Sequence, residues 1–198
     1  MLRAVLFDMD GVLVKSEEVW FRAVEEAGVR FRGRAITREE FAPTFGQGTA
    51  ADVEVFGLSC TREVLDAFYV EAFVRHLDAM WVNPDAAPLL ALLRARGLKT
   101  ALVTNTVGPL AARILSVARL DGAFDALATA DRTPRSKPAP DLLLLALSEL
   151  GVSSAEAAMV GDSRYDREAA AAAGVRFFGL QLEGDVRLER LSELAERL

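Results

Sequence analysis

The chain has 198 residues, 52% of them apolar and 26% charged, with a mean hydropathy of +0.20, which supports a sizeable core and excludes disorder as a description of the whole. Lys and Arg number 23 against 29 Asp and Glu, so the net charge is −6 and the pI near 5.0, with no global cationic footprint for nucleic acid or anionic lipid. A single cysteine, Cys60, excludes an internal disulfide and suits a reducing compartment; a single histidine, His76, excludes a multi-histidine zinc site. A site for a small anion on such an acidic chain must therefore gather positive charge, or a metal, locally.

Leu2-Arg3-Ala4-Val5-Leu6-Phe7 is a short apolar run closing on Asp8-Met9-Asp10-Gly11, the pattern of a buried strand ending in a polar turn. The next stretch, from about Ser16 to Met80, lacks a strand pattern. Ser16-Glu17-Glu18 reads as a helix start, with Val19, Trp20, Ala23, Val24 and Ala27 on one face. Thr37 with Glu40 has capping-box spacing, and Thr61 opens a long helix with a stripe of Val64, Leu65, Phe68, Ala72, Phe73, Leu77 and Met80. Strand-like runs return at 98–103, 124–128, 157–160 and 175–179, alternating with helical patterns at 86–96, 109–118, 141–150 and 165–173. Gly97, Gly151 and Gly174 stand where such helices stop. The tail, 186–198, reads as a charged amphipathic helix. The fold class is therefore α/β: a Rossmann-like three-layer core with a parallel sheet, carrying an inserted all-helical lobe. The expected division is residues 1–14 with 82–198 for the core and 15–81 for the helical insertion. The two chain crossings, near 12–16 and 81–84, make a hinge.

In an open parallel sheet, ligands sit beyond the carboxyl ends of the strands. Asp8 and Asp10 follow the first strand, Thr104 and Asn105 the second, Lys137 the third, and Gly161-Asp162-Ser163 the fourth, with Asp166 one turn further. Crowded carboxylates repel unless a cation or proton intervenes. An all-oxygen donor set makes Mg2+ the natural cation, Lys137 adds a point charge for phosphate oxygens, and Thr104 can donate a hydrogen bond to the same group.

Phe7-Asp8-Met9-Asp10-Gly11-Val12, Val103-Thr104-Asn105, Lys137-Pro138 and Gly161-Asp162-Ser163-Arg164-Tyr165-Asp166 resemble the four ordered motifs of the haloacid dehalogenase superfamily, over roughly residues 3–180. The helical insertion is similar to that superfamily's cap. Lys137-Pro138-Ala139-Pro140-Asp141 and the stretch 161–174 resemble its phosphoglycolate phosphatase and beta-phosphoglucomutase branch. The resemblance implies a Mg2+-dependent phosphatase of a small phosphorylated metabolite. Asp8 would be the nucleophile and form an aspartyl phosphate, and Asp10 would be acid and then base. Asp8, the backbone carbonyl of Asp10 and Asp162 would hold the metal. Thr104 and Lys137 would stabilise the phosphoryl group, with Asp166 and Asn105 behind them.

Some residues keep two readings. Phe45-Gly46-Gln47-Gly48-Thr49 is either a helix–helix turn or a specificity loop offering Gln47 and Thr49 to substrate. Lys15 stands where relatives often carry an acid and is a third candidate contact. Trp20 replaces a histidine of the mutase branch, which favours a hydrolase; Arg167 replaces an apolar residue. His76 reads as structural and Cys60 as inert. The rival functions are a sugar phosphomutase and a non-catalytic phospho-accepting regulator. The apolar start, broken by Arg3, Asp8 and Asp10, is neither leader nor membrane span, so a soluble cytoplasmic chain is expected, as monomer or homodimer, with no nucleic-acid or membrane partner.

Overall fold

The computed structural model describes residues 2–198, of Ala50 the backbone alone; Met1, the first residue of the expected core and of the stretch read as no leader, lies outside them. The chain runs β1 (Ala4–Phe7), β2 (Val14–Lys15), α1 (Glu17–Arg32), α2 (Arg38–Phe41), α3 (Thr49–Val55), α4 (Arg62–Arg75) and β3 (Trp81–Val82). It continues α5 (Ala86–Ala95), β4 (Lys99–Val103), α6 (Gly108–Val117), β5 (Ala126–Ala128), α7 (Asp141–Leu150), β6 (Ala157–Gly161), α8 (Arg164–Ala173), β7 (Arg176–Leu180), β8 (Val186–Leu188) and α9 (Leu194–Arg197). It divides into two compact units: one joins the stretch up to Val14 to Val82–Leu198, and the other is Lys15–Trp81. The linkers β2 and β3 pair as a short ribbon.

In the first unit the sheet order is β5-β4-β1-β6-β7-β8, every pair parallel. β1 is central, with Ala4 opposite both Lys99 and Ala157, so all four of its residues are buried. Alternation sends Ala4 and Leu6 to one face, where Leu142, Leu143 and Ala146 of α7 and Ala169 and Ala170 of α8 pack with Val103 and Met159. From β1 the chain visits β4 and β5 on one side, then crosses to β6 on the other. The order thus reverses at the β1/β6 boundary, and their carboxyl ends face one crevice.

The tail departs from the expected helix. Val186 and Leu188 alternate with Arg187 and complete the edge of β7 as β8. Leu191 and Leu194 are buried in a short 3-10 turn and the single turn of α9. An unpaired sheet edge offers a period-two segment more hydrogen bonds than a free helix does.

The second unit is helical. Ala23, Val24 and Ala27 of α1 pack with Leu65, Tyr69 and Ala72 of α4, among Phe21, Phe41 and Phe56. The capping box of Thr37 and Glu40 forms, and Thr61 accepts from the Val64 amide to start α4. The buried stripe of α4 is Leu65, Tyr69, Ala72 and Phe73; Val64, placed in the stripe by sequence, is 48% exposed. α4 ends at Arg75, so Leu77 and Met80 lie beyond it. Ser16 precedes α1 without a side-chain cap. Among the described residues no helix is long and apolar enough to cross a membrane.

Candidate active site

The β1/β6 crevice receives its groups from four strand ends. Asp8 follows β1, its amide still donating to Val160 of β6 at 2.9 Å. The chain then turns tightly: the Gly11 amide donates to the Val14 carbonyl at 2.7 Å, and Asn83 of the returning linker donates through Nδ2 to the Val12 carbonyl at 2.8 Å. Gly11 has φ +85°, and a Cβ there would stand 1.8 Å from Asp162 Oδ2. Glycine at this position is what lets the β6 end close on the first loop. Gly161 does the same for Asp166, whose Cβ would meet a Gly161 side chain at 2.4 Å.

Lys137 sits between these carboxylates. Its Nζ donates to Asp8 Oδ1 at 2.6 Å, to Asp166 Oδ1 at 2.6 Å and to the Val103 carbonyl at 3.0 Å. An ammonium has three N–H groups, and all three are committed. Asn105 fixes the lysine from behind: Asn105 Nδ2 donates to the Lys137 carbonyl at 2.9 Å and Lys137 N donates to Asn105 Oδ1 at 2.8 Å. Asp166 Oδ2 accepts from Ser163 N at 3.1 Å and Ser163 Oγ at 2.5 Å, the capping box that opens α8. Thr104 Oγ1 accepts from the Thr106 amide at 3.1 Å, which leaves the Thr104 hydroxyl hydrogen to be donated. Asp8 (7% exposed), Thr104 (1%), Lys137 (4%) and Asp166 (0%) are buried, while Asp10 and Asp162 are half-buried.

Oxygen atoms of Asp8, Asp162 and Asp166 all lie within 4.8 Å of one another. Burial, then the charge of Asp166, pushes the Asp8 carboxyl well above the usual carboxylate range. Burial and the same neighbour push Asp162 up to about 7. Burial alone would lower the Lys137 ammonium, but the charges of Asp166 and Asp8 outweigh it and hold it raised. One ammonium thus faces four carboxylates counting Asp10. Asp8 and Asp166 share Lys137, but Asp166 accepts from Ser163 as well, so the least compensated charge falls on Asp8 and Asp162. Hard oxygen donors carrying surplus negative charge fit a divalent cation such as Mg2+.

Two hydroxyls not singled out from the sequence, Thr106 and Ser163, also contact these acids. Thr106 Oγ1 donates to Asp10 Oδ2 at 3.4 Å. The spacing Thr104-x-Thr106 just after a strand, and Ser163-x-x-Asp166 at a helix start, were the available signals. Lys15, Gln47 and Thr49 belong to the helical unit. Lys15 Nζ lies 5.1 Å from the centroid of the Trp81 ring. Gln47 Nε2 donates to Asp52 Oδ1 at 3.1 Å, and Thr49 opens α3 after Gly48. His76 caps the end of α4 with Nε2 2.7 Å from Glu26 Oε1, and burial raises the Cys60 thiol.

The model of the haloacid dehalogenase-like hydrolases matches residues 2–174, and the chain belongs to that family of enzymes. It is 34% identical over 177 residues to a protein of Caldanaerobacter subterraneus provisionally named as the pyrophosphatase PpaX, covering 88% of this chain and 80% of that one. It is 32% identical over 192 residues to the phosphoglycolate phosphatase of Yersinia pestis, covering 90% and 81%. The crystal structure of CbbY from Rhodobacter sphaeroides in complex with phosphate superposes with a TM-score of 0.87 at 27% identity, covering 98% of this chain and 96% of that one.

Proposed function

We propose that the protein is a Mg2+-dependent phosphatase that hydrolyses a small phosphorylated metabolite, of the phosphoglycolate or sugar-phosphate class, through an aspartyl phosphate on Asp8. The observation that carries the reading is Lys137 Nζ at 2.6 Å from both Asp8 and Asp166, with Asp162 beside them at the β1/β6 boundary. Relatives named as phosphoglycolate phosphatase and pyrophosphatase, and a neighbour crystallised with phosphate, support it.

Asp8, the Asp10 backbone carbonyl and Asp162 would hold the Mg2+. Bound there, the ion supplies charge neutralisation for the carboxylates and electron withdrawal from phosphoryl oxygens. Lys137 holds Asp8 Oδ1, so the other carboxylate oxygen is the one offered to phosphorus, and the ammonium acts on the phosphoryl group as a nearby charge. Thr104 donates its free hydroxyl hydrogen to a phosphoryl oxygen. Asp10 protonates the departing ester oxygen and then takes the proton of the attacking water. Asp166 and Asn105 keep Lys137 in place from its two ends. The helical unit serves as a cap that sets which ester is accepted, with Lys15, Gln47 and Thr49 as its candidate contacts; Gln47, its amide committed to Asp52, offers its carbonyl oxygen. A cytoplasmic location fits the single cysteine.

The test is phosphate release from p-nitrophenyl phosphate and from a panel of alkyl phosphates, each with Mg2+ and with EDTA. Metal-dependent turnover is expected. Stoichiometric labelling without turnover identifies a phospho-accepting regulator instead, and isomer formation with phosphate retained identifies a mutase. Trp20, packed edge-on against Tyr69 and Phe73, supplies no proton-shuttling group of the kind a mutase needs.

A further inference from the structure

The loop after β4 carries two hydroxyls two residues apart, and the second has no part in the phosphatase reading above. Thr106 is 6% exposed and its backbone is pinned on both sides: its amide donates to Thr104 Oγ1 at 3.1 Å, and its carbonyl accepts from the Ala130 amide at 3.1 Å. The flanking residues are tied to the end of β5 and the segment after it, Thr104 N to the Ala128 carbonyl at 3.0 Å and Gly108 N to Asp131 Oδ1 at 2.7 Å. From this fixed loop Thr106 Oγ1 donates to Asp10 Oδ2 at 3.4 Å. Hydrogen bonds of acid and base groups are commonly long without substrate and tighten when it binds.

We infer that Thr106 is a positioning residue for Asp10: its hydroxyl holds one carboxyl oxygen, Oδ2, and so favours the orientation in which the other, Oδ1, presents the transferable proton to the departing ester oxygen. The inference rests on the phosphatase reading. As the bond from Asp8 to phosphorus forms and the phosphorus–ester oxygen bond breaks, the electron pair of the broken bond stays on the ester oxygen, which takes the proton from Asp10 Oδ1. Asp10 is then a carboxylate, and the Thr106 hydroxyl donates to it more strongly. In the second step that carboxylate accepts a proton from the water attacking phosphorus, while the electron pair of the Asp8–phosphorus bond returns to Asp8. Thr106 touches neither ester nor phosphoryl group, so its effect scales with how much the leaving oxygen needs a proton. An alkoxide needs it; a dinitrophenolate does not.

The experiment compares kcat/KM, which reports steps through the first phosphoryl transfer, for the best alkyl phosphate of the panel and for 2,4-dinitrophenyl phosphate at saturating Mg2+. For Thr106→Val the alkyl value falls about 10-fold or more, while the dinitrophenyl value stays within about 2-fold, which also reports an intact fold. Thr106→Ser restores the alkyl value. An equal fall on both esters, or no fall on either, overturns the role of Thr106 and leaves the phosphatase standing. Absence of phosphate release from every ester by the unaltered protein overturns the phosphatase reading and this inference together.

Discussion

Lys137 donates to Asp8 and Asp166 from a buried position, so its loss leaves two carboxylates facing each other without a cation. Removing one partner of such a group costs about 3–5 kcal/mol. Lys137→Met is therefore expected to lower the unfolding free energy by that order in urea titrations without metal, and to cut turnover at least about 1,000-fold. Asp8→Asn should behave differently. It removes a carboxyl whose ionisation is opposed by burial and by Asp166, so its melting temperature should equal or exceed that of the unaltered protein while phosphate release is abolished. Gly11→Ala tests how Asp162 comes to the site: the Cβ would overlap Asp162 Oδ2, and the positive φ adds about 1–2 kcal/mol of strain. The expected result is a Mg2+ half-saturation raised at least about 10-fold, read from metal titrations of activity. Singly, Asp8 reads as a solvated turn acid, Lys137 as a surface lysine and Asp162 with Asp166 as helix-start acids; their order at successive strand ends singles them out, and the fold brings the four together. Thr106 offers only its spacing from Thr104, too weak a signal by itself, until the fold sets its hydroxyl beside Asp10.

At the scale of elements, α3 and α4 share a polar contact inside the helical unit. Asp52 of α3 accepts from Gln47 Nε2 and from the Tyr69 hydroxyl at 3.1 Å each. Burial pushes its carboxyl up to about 6 from the ordinary 3.8, against the two hydrogen bonds, and the charge of Asp66 adds to the rise. A raised folded value means the folded chain binds the proton more tightly, so this contribution to stability is present below pH 3.8 and is lost as pH rises through about 6. Asp52→Asn should flatten the pH dependence of unfolding between those values and stabilise the helical unit at pH 7 by roughly 1–2 kcal/mol, measured by denaturant titration at several pH values. The Thr61 cap of α4 is expected to contribute about 1 kcal/mol, read from Thr61→Ala. Capping boxes such as Thr37 with Glu40 were readable from spacing alone, because the cap is a contact between near neighbours. Periodicity alone places Val64 in the buried stripe of α4 and makes a helix of the β8 segment, whereas Val64 is exposed and the segment is a strand. For α4 the deciding partner, α1, lies far away in sequence; for β8 it is the neighbouring strand β7, which becomes an edge open to pairing only once the sheet has assembled.

For the molecule as a whole, the chain leaves the sheet unit after Val14 and returns at Val82, and the two linkers pair as β2 and β3. Paired strands run about 5 Å apart, so a short Gly/Ser bridge can replace Lys15–Trp81. The resulting sheet unit is expected to give a cooperative thermal transition by circular dichroism and to keep Mg2+-dependent release of p-nitrophenol, because every residue assigned to phosphoryl transfer lies within it. A chain that is insoluble, or that melts without cooperativity, would refute an independent core. The alkyl phosphate preference should disappear with the helical unit.

Alternation of apolar runs and helical patterns, the break in that rhythm after Val14, and acidic or hydroxyl residues at strand ends were set by local chemistry and the order of the chain; sequence alone determines them. Which carboxylate the ammonium holds, how closely Gly11 admits Asp162, and that Thr106 reaches Asp10 across 96 positions were decided by the tertiary structure. Propensity and periodicity act over a few residues, whereas a crevice between β1 and β6 is assembled from segments more than a hundred residues apart, and burial and field there depend on what the fold brings together.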